Sequence, residues 1–123
     1  MASSTKTAHF QITLGTTNAA DIIELGDLPD YAVPVEVMVH STAAISLSVG
    51  TVAAPAGLMA NAAVTANVPL RTASAPELFK NVGLGQRRVR ATVGTGGTAG
   101  VLNVAVQYVV EDAGVGYPLT AAT

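Results

Sequence analysis

Residues 33–50, VPVEVMVHSTAAISLSVG, constrain the fold more than any other stretch of this 123-residue chain. Val33, Val35, Val37 and Val39 alternate with Pro34, Glu36, Met38 and His40. After the link Ser41 to Ala44, Ile45, Leu47 and Val49 alternate with Ser46 and Ser48. A period of two over this length means half-buried β-strands. The apolar parity is the same on both sides of the link, so the pattern predicts a hairpin with both sets on one face.

The same reading extends along the chain. Thr7 to Leu14 alternates with Ala8, Phe10, Ile12 and Leu14 on one face. Asp21 to Leu25 reads as a short strand with Ile23 and Leu25 inward, and Thr51 to Gly57 as a loop. Within Leu58 to Leu70, Ala63 to Val68 alternates, and Pro69 suits a sheet edge. Ser74-Ala75-Pro76-Glu77 has the residues of a helix start, and Gly83 stops it, which predicts one short helix over Pro76 to Asn81. Gln86 to Val93 and Val101 to Glu111 read as a second hairpin around the Gly-rich link GTGGTAG, whose tip is expected to be mobile. The expectation is an all-β chain: a β-sandwich of jelly-roll or other Greek-key type, with one short helix. It is a single domain over 1–123, with an N-terminal arm (1–6) and a C-terminal tail (112–123) in which Val115, Tyr117 and Leu119 alternate.

Composition excludes several functions. No cysteine is present, so disulfides, thiolate metal sites and cysteine nucleophiles are absent. The net charge of −2 and the lack of basic clusters interleaved with aromatics argue against a nucleic-acid partner. No apolar run is long enough to span a bilayer, and the first ten residues lack a secretory h-region. Aromatics make up 4%, too few for the stacking platforms that sugar-binding sandwiches use. Charged residues make up only 11%, against about a quarter in a free soluble domain. Such a surface suits coverage by partners.

No constellation for chemistry emerges, and no catalytic residue, metal ligand or cofactor is expected. The GTGGTAG run is followed by a strand where a phosphate loop needs a helix. His9 and His40 each lie opposite the apolar side of a strand and read as structural. Asp21, Glu24, Asp27 and Asp30 lack the spacing and glycine of a calcium loop. The charges are nevertheless segregated. Arg71, Lys80, Arg87, Arg88 and Arg90 hold all the positive charge except Lys6, while five of the eight acids lie in the first third. That arrangement suits contact between subunits or docking on an assembly. Arg88 and Arg90, two apart on one strand face, and the tail residues Val115, Tyr117 and Leu119 are the candidate interface residues.

The run VEVMVHSTAAISLSVGTVAAPAGLMANAAVTA, together with RRVRATVGTGGTAGVLNVAVQYVVE, resembles small structural proteins of tailed-bacteriophage virions. The resemblance lies in a valine-rich strand, a Thr/Ala/Ser strand ending in Ser-Val-Gly-Thr, an Ala-rich stretch and a closing pair ending in Val-Val-Glu. It covers about two-thirds of the chain and implies a capsid decoration (cement) protein. Such a protein binds the outside of an icosahedral shell, with the major capsid protein and itself, commonly as a homotrimer, as partners. It is made in the host cytoplasm and located on the virion. The alternative is a host-surface or glycan-binding module on a phage head, tail or fibre.

Overall fold

A computed structural model of the chain describes residues 5–29, 32–72, 75–76, 78 and 87–110. They form eight strands: β1 (Lys6–Leu14), β2 (Ile22–Asp27), β3 (Ala32–Ser41), β4 (Ile45–Gly50), β5 (Met59–Val64), β6 (Leu70–Thr72), β7 (Arg88–Thr95) and β8 (Gly100–Val110). Two four-stranded sheets result, ordered β1-β8-β3-β6 and β2-β7-β4-β5, hereafter sheets A and B. Every pairing is antiparallel. The first strand pairs with the last, the second with the second-last, and so on inward to β4 with β5. The chain is therefore one long hairpin with its tip at β4–β5, rolled so that successive rungs fall in opposite sheets. This is the jelly roll, one of the sandwiches that the alternation predicts.

The two predicted hairpins do not form. β3 pairs with β8 and β6 while β4 pairs with β7 and β5, so the link 42–44 crosses from sheet A to sheet B. The link between β7 and β8 crosses back in the same way. Equal apolar parity is satisfied by both arrangements. Two strands folded over face to face also point their apolar rows at one another, and a sandwich core rewards this more than a lone hairpin can. Val37, Val39, Leu102, Val104 and Val106 of sheet A thus meet Leu47, Val49, Val89, Ala91 and Val93 of sheet B, all at most 2% exposed. Each such Val or Leu contributes about 1.5–3 kcal/mol by leaving water.

Phase shifts account for the other differences. β3 carries a bulge between Pro34 and Glu36 in its ladder with β8. Ala32 and Pro34 are buried before it and Val37 and Val39 after it, so Val33 and Val35 are only half-buried despite their place in the alternation. Pro34 has no N–H to give to a ladder, which makes this a natural place for the extra residue. The fifth strand lies at 59–64, four residues before the predicted stretch, and Val68 is 50% exposed. Asn67, at φ 62°, turns the chain there, and its N–H donates to the Ser41 carbonyl at 2.7 Å. The expected helix falls mostly outside the described residues, among which there is no helix. Leu78 is buried, and its N–H donates to the Ala75 carbonyl at 3.2 Å.

Candidate interaction surface

The segregated charges meet on the outer face of sheet B. In an unbroken strand Glu24 and Asp27 would point to opposite faces. A bulge between Glu24 and Gly26 leaves Leu25 without a cross-strand partner and turns both carboxylates outward, opposite Arg90 and Arg88 of β7. Gly26 makes the bulge compatible with packing: a Cβ there would stand 2.6 Å from the Phe10 ring of β1. The Arg88 Nε donates to Asp27 Oδ1 at 2.6 Å and its Nη1 to Glu24 Oε1 at 3.4 Å. The Arg90 Nε lies 2.9 Å from Glu24 Oε2, an ion-pair distance, although the alignment is not that of a hydrogen bond. Beside them the Arg87 Nε donates to the Leu28 carbonyl at 2.8 Å, where the Leu28 N–H also donates to the Arg87 carbonyl.

Sheet A repeats the device once. Glu36 and Arg71, on neighbouring strands β3 and β6, form a two-pronged pair: Nε to Oε2 at 3.0 Å and Nη2 to Oε1 at 2.9 Å. One acid on each sheet is perturbed by its arginine. The hydrogen bond from Arg88 holds the Asp27 carboxyl below its ordinary value, and that from Arg71 does the same for Glu36. In each case partial desolvation opposes the shift, and the cation's field adds to it. The acidic and basic thirds of the sequence thus find each other within one chain, because second pairs with second-last and third with third-last.

Among the described residues, the rest of the outer face of sheet A carries no Asp, Glu, Lys or Arg. Asn103 of β8 stands between Gln11 of β1 and His40 of β3. Its Oδ1 accepts from Gln11 Nε2 at 3.2 Å and lies 2.9 Å from His9 Nε2. Ala105 and Met38 form the next row. His9 and His40 share a sheet face, yet no group of three His, Cys, Asp or Glu among the described residues is placed to hold a metal.

At one end of the sandwich the Gly-rich link is fastened rather than free. Thr17, between β1 and β2, gives its N–H to the Gly97 carbonyl at 2.9 Å and accepts the Gly97 N–H on Oγ1 at 2.9 Å. A shallow cleft of about 400 Å³ lies nearby, bordered by Ala44 to Ser46, Ala63 to Thr65, Thr95 and Gly96. It holds no charged side chain. Of the predicted interface residues, Arg88 and Arg90 lie together on β7. Val115, Tyr117 and Leu119 lie outside the described residues. Glu24 and Asp27 complete the cluster, and the spacing of the early acids alone does not single them out. Gly26 between them was the available signal, because glycine inside a strand pattern marks a bulge.

No family model matches the chain, and no curated protein matches it. Solved structures do. A chain in the capsid of Ralstonia phage GP4 superposes with a TM-score of 0.73 at 28% identity, over 89% of this chain and 86% of that one. A chain in the capsid asymmetric unit of cyanophage Pam1 superposes at 0.64 with 24% identity, over the same shares. The resemblance to phage virion structural proteins therefore holds in three dimensions as well as in sequence texture.

Proposed function

We propose that this chain is a structural protein of a phage virion that binds the outside of the capsid and stabilises it, as a decoration protein. The observation that carries the reading is the match, over nearly nine-tenths of the chain, to a chain of the Ralstonia phage GP4 capsid. The charge-poor surface supports it, since neutral small side chains are cheaply desolvated against a shell. The partners in this reading are the major capsid protein and further copies of the chain, with a trimer as the expected assembly. No catalytic activity, nucleic-acid contact or membrane contact is part of it. The protein is made in the host cytoplasm and resides on the capsid surface. Many weak contacts repeated over the particle give firm attachment without a deep pocket.

The test uses particles purified with and without the protein. Added protein should bind to a fixed stoichiometry, add density to the outside of the shell in negative stain, and raise the temperature at which particles release DNA. Protein that fails to bind, or that binds with no change in particle heat resistance, overturns the proposal.

A further inference from the structure

Among the described residues, β1 is an edge strand whose only protection is Lys6 at its start. Among the described residues it pairs only with β8, so one side of its nine-residue backbone is unpaired. Edge strands normally carry a proline, a bulge or inward charges that block a further strand. β1 contains no proline, its ladder with β8 runs without a register shift, and its only charge is Lys6 at the start. Its inner row is also incompletely covered. Ala8, Phe10, Ile12 and Leu14 are only half-buried, whereas the corresponding rows of β3 and β8 are closed off by the core. Among the described residues, this side of the sandwich is thus both unpaired along its backbone and apolar along its inner row.

We propose that residues 115–119 of a second copy add to this edge as an antiparallel strand. The inference deepens the self-association in the proposed function and names the surfaces that make it. The segment VGYPL has the required pattern: Val115, Tyr117 and Leu119 would continue the inner row, with Gly116 and Pro118 between them. When the backbones of 115, 117 and 119 pair with β1, that of Pro118 faces away. A residue with no N–H then stands on the new edge, where it limits further addition.

Direction selects a second copy. β8 ends at Val110, at the Lys6 end of β1, since Lys6 lies opposite Tyr108. A five-residue strand antiparallel to β1 must enter at Phe10 or nearer Leu14, about 20 Å or more from Val110. The four residues 111–114 span at most about 14 Å. The chain's own segment therefore reaches only a parallel alignment, and every pairing in the two sheets is antiparallel. Each copy donates one strand and accepts one, a head-to-tail contact that closes into a ring when the rotation per step allows.

The full chain, studied without particles, tests this. Sedimentation equilibrium should give an oligomer for the parent. V115D/Y117D should sediment as a monomer while keeping the parent's far-UV circular dichroism. Because the chain has no cysteine, single cysteines report the pairing directly. Gly116→Cys in one copy, mixed with His9→Cys, Gln11→Cys or Thr13→Cys in another, should yield a disulfide-linked heterodimer on mild oxidation for at least one of the three. A monomeric parent, an oligomeric V115D/Y117D, no heterodimer with any of the three, or bonds that form only within one chain in the doubly substituted proteins would each overturn it. Particle binding by a monomeric parent would leave the proposed function standing, so the two failures are distinguishable.

Discussion

The outer faces of the two sheets differ in how they handle charge. On sheet B, Glu24, Asp27, Arg88 and Arg90 form one connected cluster across β2 and β7, with side chains 30–49% exposed. On sheet A, among the described residues, one ion pair stands at the β3–β6 edge and the centre carries no Asp, Glu, Lys or Arg: it holds Asn103, Ala105, Met38, Gln11 and the two histidines. Both faces cover the same aliphatic core, so the core does not impose the difference. Pairing does. The roll brings each early strand against a late one, so acids placed early and bases placed late become cross-strand neighbours only where both strands carry them. The difference teaches that segregation along a sequence need not signal a partner molecule. In an antiparallel roll it is also how a chain matches its own strands and fixes their register.

The largest effects should come from beneath these faces. Val37, at the core side of β3, is fully buried, whereas its neighbour Glu36 belongs to the outer face of sheet A. Val37→Asp places a carboxylate among aliphatic side chains and should abolish folding, at a cost of several kcal/mol. Glu36→Ala should leave the fold intact, with a small loss in melting temperature. If Val35→Asp proves as damaging as Val37→Asp in thermal melts, the bulge that separates their environments is misplaced.

A second contrast lies on the faces themselves. Gly50 on the outer side of sheet B is roofed by the loop 51–57, and an added Cβ would overlap the Ala54 carbonyl oxygen. Gly50→Ala must displace that loop and should cost about 1–3 kcal/mol. Ala105, at the centre of sheet A, is half-buried with no such roof among the described residues, and Ala105→Ser should change the melting temperature little. Equal losses for the two would mean that the faces are equally covered.

These contrasts also show how much was legible in the sequence. The alternation at Ile45, Leu47 and Val49, and at Leu102, Val104 and Val106, marked core residues because the register shifts beside them place the extra residue on the partner strand, β5 or β7 for the first set and β3 for β8. Val33 and Val35 misled because a bulge inserts one residue, and parity carries no mark of it beyond Pro34. The partners of the strands were not legible, since a hairpin and a sheet-to-sheet crossing need the same apolar parity. β6, three residues long, is too short to show a period and exists through its ladder with β3. In the candidate site, Arg88 and Arg90 were visible as a two-residue spacing. Their acids were marked only through Gly26, because the bulge that aligns Glu24 with Asp27 is otherwise a property of the pairing.

Acid should weaken both faces. Asp27 on sheet B and Glu36 on sheet A each have a carboxyl held below its ordinary value by an arginine. Each proton is therefore lost more readily in the folded chain than in the unfolded one. The stabilisation is complete above the unfolded-state value and disappears as pH falls through the folded-state value. The melting temperature should thus be flat near neutrality and should decline below the ordinary carboxylate range. D27N/E36Q should start lower and show a shallower decline. A double variant whose pH profile parallels the parent's would show that these pairs do not set the acid limb. Salt should reduce the same contribution, because both pairs are at the surface.

The smallest expected effect decides whether the charged face also meets a partner. Arg88 and Arg90 already hold carboxylates of their own chain, so any acid on a partner would compete with Glu24 and Asp27, and its net gain would be modest. The intrachain pairs also fix both guanidinium groups on one outward face, which lowers the ordering cost of a second contact. If that face docks on acidic groups, R88Q/R90Q should fold normally and leave particles at lower salt than the parent. E24Q/D27N, which frees the same arginines, should shift release in the opposite direction, to higher salt. Opposite shifts mark a docking face, because a purely structural role for the cluster gives no reason for the two variants to diverge in sign. Release curves of both variants that coincide with the parent's would assign the cluster to the pairing of β2 with β7 alone, and would leave the outer face of sheet A as the candidate side for the proposed contact with a shell.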